Sequence, residues 1–526
     1  KAKAEKDGDK PKVALDAKAL GSIYAGRIYL QSTEKGVGVN SQGEMLAGSG
    51  DLEIDVNGDL ILKDAQAKND IKINAENVKI QEKAIAENNI NIKSKDIVNT
   101  GNISSNKNIE INSSNIENKG NISSKNINMS NKEKIVNTGK ISADNVTITS
   151  KDMENKELTA LNADITLSGN LKNESLKAVE NLKIKGKNIE NTGTIAANKK
   201  VKIESTNLSN KGNISGNDIE IKSENNILNE KNIISSSINI SSKFLYNNGL
   251  IQADVLTLKM TDYLENNGSI LGKTATLNAS QISNRGIIYG ENYFTLVSSK
   301  YINEGSGIIT GGHLFIDGVG DNAGDISGEK LVVSGEKIKN SGNITGEDTL
   351  TITADLNNSG TVQGKNLVNI IGNIDNSQNI KSEKELNISG NIINTGYIYS
   401  ENAEITGNIN NNGDILSLLN MKITGNVINN KNMSSGSKLT LLSDSILNND
   451  RISALELLIT GTRLINNGII TSDTGIFNIY NFENSGTVYG KKDITISGNK
   501  IVNTALIQSS NNLYLISKNI INKGDI

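Results

Sequence analysis

The sequence predicts an all-β protein: a single-stranded right-handed parallel β-helix (β-solenoid) of about 18–19 residues per coil. Three observations carry this expectation. One phrase keeps returning: IVNTGNISS at 97–105 reappears as IENKGNISS at 116–124, IVNTGKISA at 135–143 and IENTGTIAA at 189–197. Beside it, aliphatic pairs such as Ile109/Ile111, Val201/Ile203 and Ile219/Ile221 alternate with polar residues, the period of a strand. The 526 residues hold one proline, Pro11, so little interrupts strand pairing.

Aligned on the central asparagine, the phrase has 24 copies between Asn99 and Asn522, with steps of 17 to 19 residues. An apolar side chain stands two places before the asparagine in 23 copies, Gly320 being the exception. Glycine follows two places after it in 17, and Ile or Val four places after it in 20. Between the aliphatics lie Asn, Ser, Gly and Lys, which form turns, so each copy reads as two or three short strands joined by tight bends. Such a unit buries too few aliphatics to offset the entropy of ordering its residues, so copies must stack, one copy per coil. The drift in coil length and the extra inward residue at Ile111 favour the right-handed form over a strict hexad.

In an extended frame the asparagine has the parity of the apolar residues around it and points inward. A buried amide is costly unless bonded, and a stack offers the same amide one coil above and one below. The expectation is an asparagine ladder that includes Asn99, Asn118, Asn137, Asn191, Asn210, Asn247, Asn266, Asn284, Asn340, Asn358, Asn394, Asn466 and Asn484. The alignment uses Asn430 for the copy between Asn411 and Asn448. The glycine that follows is expected to supply a positive φ for a sharp bend. The alternative is that these asparagines are turn formers facing solvent.

Composition excludes several function classes. Fifty-five basic and 58 acidic residues are well mixed, with a net charge of −3, so no basic field attracts nucleic acid. Without cysteine there is no disulfide or thiolate metal site, and the single His313 leaves little for histidine-based catalysis; no cofactor is expected. No run of 18 apolar residues could span a bilayer as a helix. The chain begins with Lys1 and stops in mid-pattern, so it reads as cut from something longer.

Residues 16–39 read DAKALGSIYAGRIYLQSTEKGVGV. This segment resembles the end of the secretion and haemagglutination-activity domain of filamentous haemagglutinin-type exoproteins, which carries ALGxxYAxRI, then a leucine, then TExGVGV. The matching residues are Ala19, Leu20, Gly21, Tyr24, Ala25, Arg27, Ile28, Thr33, Glu34, Gly36, Val37, Gly38 and Val39. The repeats that follow also look like that family's filament repeats. The resemblance divides the chain into the tail of the secretion domain at 1–42, with 1–11 a polar surface loop, transitional coils at 43–98 and filament repeats at 99–526. It implies two-partner (type V) secretion in a Gram-negative bacterium through an outer-membrane β-barrel transporter, then display on the cell surface or release. The implied function is the rigid shaft of a secreted adhesin, a virulence factor that attaches to a host-cell or bacterial surface receptor, with a glycan as one candidate, and is not an enzyme. The alternative within the family is the stalk of a contact-dependent growth inhibition toxin-delivery protein; a remoter one is a β-helical polysaccharide-degrading enzyme.

Outside the ladder, Tyr289, Tyr399 and Tyr489 each lie five places after a repeat asparagine and should face out, where aromatic rings can stack on sugars or simply suit a strand. His313 should face solvent. Asp317, Asp321 and Asp325 form the densest carboxylate run and are expected on a solvated loop rather than around calcium or a substrate. The sequons at Asn102, Asn121 and Asn343, and the tripeptide 523–525, are expected to follow from repeat composition.

Overall fold

The computed structural model describes residues 12–17 and 21–526. The segment 1–11, and Ala19 and Leu20 of the secretion-domain motif, lie outside the described residues. The chain forms two compact units, Lys1–Met260 and Thr261–Ile526. Among the described residues every element is a β-strand, so no helix is long and apolar enough to cross a membrane.

In the first unit, neighbouring coils pair in parallel and in register. Leu52 pairs with Ile71, Ile71 with Ile90, Ile90 with Ile109 and Ile109 with Ile127, each partner one coil further along the chain. The second unit is built the same way: Val362, Ile380, Ile398, Ile415, Met433 and Ile452 follow one another coil by coil. In both units the inward aliphatics are sealed from solvent; Ile103, Ile122 and Ile214 in the first, and Ile344, Ile380 and Ile415 in the second, are among them. The fold is a parallel β-solenoid in which each coil covers the aliphatics of the next.

Three details differ from the sequence reading. Strands run through many bends instead of stopping there, up to the 30 residues of Asn121–Ser150. Adjacent coils bend at the same place, so backbone bonds such as Lys119 N–H to Asn99 C=O (2.7 Å) and Lys140 N–H to Gly120 C=O (2.9 Å) continue around the corner. The column four places after the asparagine is kept where the residue there is not aliphatic, because the corner changes length: Leu158 and Leu176 fill it from three places on, Ile309 from six. Finally, the repeat asparagine between Asn411 and Asn448 is Asn429, not Asn430. Val427 is the buried aliphatic two places before it, while Ile428 faces solvent, and a one-residue slip exchanges the two faces.

A second corner carries a signal that the asparagine alignment passes over. Gly372-Asn373, Gly390-Asn391, Gly407-Asn408 and Gly425-Asn426 recur one coil apart, and the four glycines have φ of 145°, 155°, 146° and 139°. Only glycine takes these angles without strain. Each following asparagine accepts a backbone N–H from the coil above: Asn391 N–H to Asn373 Oδ1 (3.2 Å), Asn408 to Asn391 (3.0 Å) and Asn426 to Asn408 (3.0 Å). A Cβ on Gly390 would also overlap the Gly372 carbonyl. Gly390→Ala should cost about 1–3 kcal/mol through the backbone angle alone, with the overlap adding to it, read as faster amide exchange in its own and neighbouring coils.

Candidate functional site

The interior amides are the most regular polar feature of the chain. In the first unit Asn99 Nδ2 donates to Asn118 Oδ1 (2.7 Å), and the chain of bonds continues through Asn137, Asn155, Asn173, Asn191, Asn210 and Asn229 to Asn247, none longer than 3.0 Å. The second unit repeats it from Asn266 through Asn284, Asn303, Asn322, Asn340, Asn358, Asn376, Asn394, Asn411, Asn429, Asn448, Asn466, Asn484 and Asn503 to Asn522, at 2.7–2.9 Å. The amide nitrogen also reaches backbone carbonyls at the corner, as Asn303 does at Gly307 and Asp325 (both 3.1 Å). These donors and acceptors are spent on one another, which is how so many polar side chains sit in an aliphatic interior.

The glycine two places on does not have the expected positive φ: the described glycines with positive φ are elsewhere. Its role is steric. A Cβ on Gly120 would overlap the Gly101 carbonyl, one on Gly139 the Gly120 carbonyl, and one on Gly360 the Gly342 carbonyl. Glycine therefore lets the corner of one coil close down on the next, while Lys231, Gln378 and Asp450 hold the same position in coils whose corner admits a side chain.

Gly320, the one break in the column before the asparagine, has an equally local cause. Its partner in the coil below is Tyr301, whose ring is wholly buried, and a Cβ on Gly320 would strike that ring and its hydroxyl. The Tyr301 hydroxyl has no hydrogen-bond partner. Burial, with the Asp321 charge second, pushes its pKa well above the ordinary tyrosine value. Because the folded phenol resists ionisation, its contribution to stability is intact below about pH 10 and falls as pH rises beyond it. Tyr301→Phe should raise stability by about 1–2 kcal/mol, by removing an unpaired buried hydroxyl, and should flatten that alkaline loss.

The outward candidates are scattered. Tyr289 is exposed; Tyr399 is half-buried and stacks on Tyr397 (centroids 5.9 Å apart, planes at 12°); Tyr489 is half-buried, its hydroxyl 3.2 Å from Ser510 Oγ. Their coil-to-coil neighbours are Leu271 and Thr310, Lys381 and Leu416, and Thr471 and Gln508, so they form no continuous aromatic strip. His313 is exposed with its ring 5.0 Å from that of Tyr293. Asp317, Asp321 and Asp325 stand on strands, not on a loop. Asp317 accepts the Ser334 hydroxyl (2.7 Å) and Asp325 the Asn343 amide (2.7 Å). Among the described residues no group of three or more acidic or histidine side chains could hold a metal ion.

One polar column escapes the sequence reading. On the outside of the first unit, Asn89, Asn108, Asn126, Asn145, Asn162 and Asn181 follow one another coil by coil, each donating its amide to the previous one at 2.7–3.4 Å, and Asn89 donating to Asp70 (2.9 Å). Its signal is an asparagine immediately before an inward residue of the period-2 pair, as in Asn108-Ile109 and Asn126-Ile127. A groove of about 650 Å³ runs beside it, with Asn91, Glu110, Asn128 and Thr147 on its other side.

Comparison with known proteins finds short segments in common with large toxins. The chain is 52% identical over 61 residues to a tRNA nuclease CdiA of Escherichia coli (strain STEC_O31), 50% over 64 residues to one of Yersinia mollaretii, and 45% over 56 residues to tRNA nuclease CdiA-2 of Burkholderia pseudomallei. Each match takes in 11–12% of this chain and about 2% of the relative. No family model matches the chain, and no solved structure does. Similarity to CdiA toxins is thus confined to a short segment, within a chain that is otherwise a repeating β-solenoid.

Proposed function

We propose that the chain is a structural, non-enzymatic shaft from a protein exported by two-partner secretion and carried on the outside of a Gram-negative cell. The coil-upon-coil register within each unit is the observation that carries this reading: it adds a fixed rise per coil and makes a scaffold whose reach scales with coil number. Contacts are mostly one coil apart, so coils can fold in turn as the chain leaves an outer-membrane β-barrel transporter, and no cysteine is present to cross-link it beforehand. Two payloads suit such a shaft: an adhesive surface that attaches to a receptor, and a growth-inhibiting toxin. The relatives named CdiA favour the second.

Deleting six whole coils, residues 100–210, should shorten the shaft by roughly 29 Å and preserve secretion, while reducing contact-dependent killing or attachment by the full-length protein. Unchanged contact activity at every coil number would contradict a role in reach. The polysaccharide-enzyme reading predicts a glycan-degrading activity abolished by Asp317→Ala; the shaft reading predicts no such activity in either form.

A further inference from the structure

The outer amide column of the first unit is polarised. Below its six asparagines lie Asp51 and Asp70, the Asp70 N–H bonded to Asp51 Oδ1 (3.2 Å). Above Asn181 the column continues through Lys200 to Asp218, which lie 3.1 Å apart as an ion pair. The residues beside it on the same strands follow suit. The lower end of the face presents Asp51, Glu53, Asp55 and Asp70 against one Lys72. The coils of Asn181 and Lys200 present Lys183, Lys185, Lys200 and Lys202 against one Glu204, with Asp164 in the coil below and Asp218 and Glu220 in the coil above. The central coils present Asn126, Asn128, Ser130, Asn145, Thr147 and Thr149, with no charge among them.

We propose that this face docks on the same face of a second copy of the chain, the two solenoids antiparallel about a two-fold axis along the strand at residues 126–130. Spacing argues first. Each column asparagine spends one N–H and one oxygen lone pair on its neighbours and turns the others outward, once per coil, about every 4.8 Å. A partner with any other repeat drifts out of step within a few rungs; a second copy keeps step along the whole face, as stacked amide ladders do in paired sheets.

Charge then selects the direction. Antiparallel docking lays Asp51 and Glu53 of one copy near Lys200 and Lys202 of the other. Lys72 comes to face Lys183, and Asp55 to face Glu204. Lys72 and Lys183 have acidic partners in their own copy, Glu53 (3.1 Å) and Asp164 (3.0 Å), as Lys200 has Asp218 (3.1 Å) and Lys202 has Glu204 (2.9 Å). The direction is therefore set by the net charge of the two ends and not by new ion pairs. Parallel docking would instead set acid on acid at one end and lysine on lysine at the other. The nine coils from Leu52 to Val201, each five residues wide, offer roughly 700 Å² per copy, close to what a stable isologous dimer uses.

Sedimentation of the full chain tests this. The wild type should be a dimer at micromolar concentration, weakened by salt. Asn128→Lys and Asn128→Glu each set like charges against themselves on the axis, so either should weaken the dimer at least tenfold with an unchanged circular dichroism spectrum, and mixing the two should restore it. Oxidation of mixed Glu53→Cys and Lys202→Cys chains should cross-link one to the other, while Glu53→Cys alone should not cross-link. A monomeric wild type, including one that binds an extended polysaccharide on this face instead, or a dimer indifferent to Asn128→Lys, overturns the proposal; so does self-cross-linking of Glu53→Cys, which would mean parallel docking.

Discussion

Gly320→Ile should destabilise the second unit by about 3 kcal/mol or more, although it restores an apolar side chain of the kind that every other copy of the aligned repeat carries at this place, aromatic only at Tyr301 and Phe482. The volume an isoleucine would fill is taken by the Tyr301 ring, and the carbonyl and amide groups around it are fixed by pairing to Ile338 above and Tyr301 below. Tyr301→Ile alone should cost about 3 kcal/mol or more as well, because the Gly320 side then lines a void. Together the two changes rebuild the common column, with isoleucine at both places between Ile282 and Ile338, and should lose less than either alone. Denaturant unfolding of the four chains measures this coupling. Additive losses in the double variant would mean that the two positions do not share one space.

The second large effect is expected in the interior ladder. Asn303 accepts from Asn284 (2.9 Å) and donates to Asn322 (2.8 Å). Asn303→Leu fits the volume but leaves the Asn322 oxygen unpaired and buried, at about 1–3 kcal/mol, while the Asn284 amide keeps only the Gly286 and Ile308 carbonyls (3.1 and 3.2 Å). The loss should be strongly non-additive for neighbours. Asn284→Leu with Asn303→Leu orphans little more than either change alone, since the bond between them is already gone, whereas Asn303→Leu with Asn429→Leu should give the sum. In a stack of repeats the damage is local, so amide exchange resolves it better than one global transition. Equal coupling for near and distant pairs would contradict a ladder made of nearest-neighbour bonds.

The fold was legible because its signal is redundant. An inward aliphatic two places before an asparagine, repeated coil after coil, fixes strand parity and coil length without any knowledge of the corners. What was not legible depends on contacts between coils, which periodicity does not report. Asn429 and Asn430 are the same residue type side by side; burial of Val427 and exposure of Ile428 decide which belongs inside. A glycine can serve a positive φ or a close approach, and both occur here: Gly372 and Gly390 do the first, Gly101 and Gly120 only the second. Gly320 looked like a defect because its cause, Tyr301, lies 19 residues away in sequence and directly beneath it. The outward amide column was passed over because its asparagines also read as turn formers. Tyr289, Tyr399 and Tyr489 had the expected parity, but only the coil register shows that they are isolated from one another.

Distances between spin labels on one outward column of the first unit test the stacking most directly, since the chain has no cysteine of its own. Glu117, Val136, Glu154 and Lys172 follow one another coil by coil, as do Glu190 and Ser209. Labels at Glu117→Cys and Ser209→Cys, five coils apart, should lie roughly 24 Å from each other, and moving the first to Lys79→Cys should add about 10 Å. Narrow distributions that lengthen by one strand spacing per coil are the predicted result. Broad distributions, or distances that do not grow with the number of coils between the labels, would contradict it.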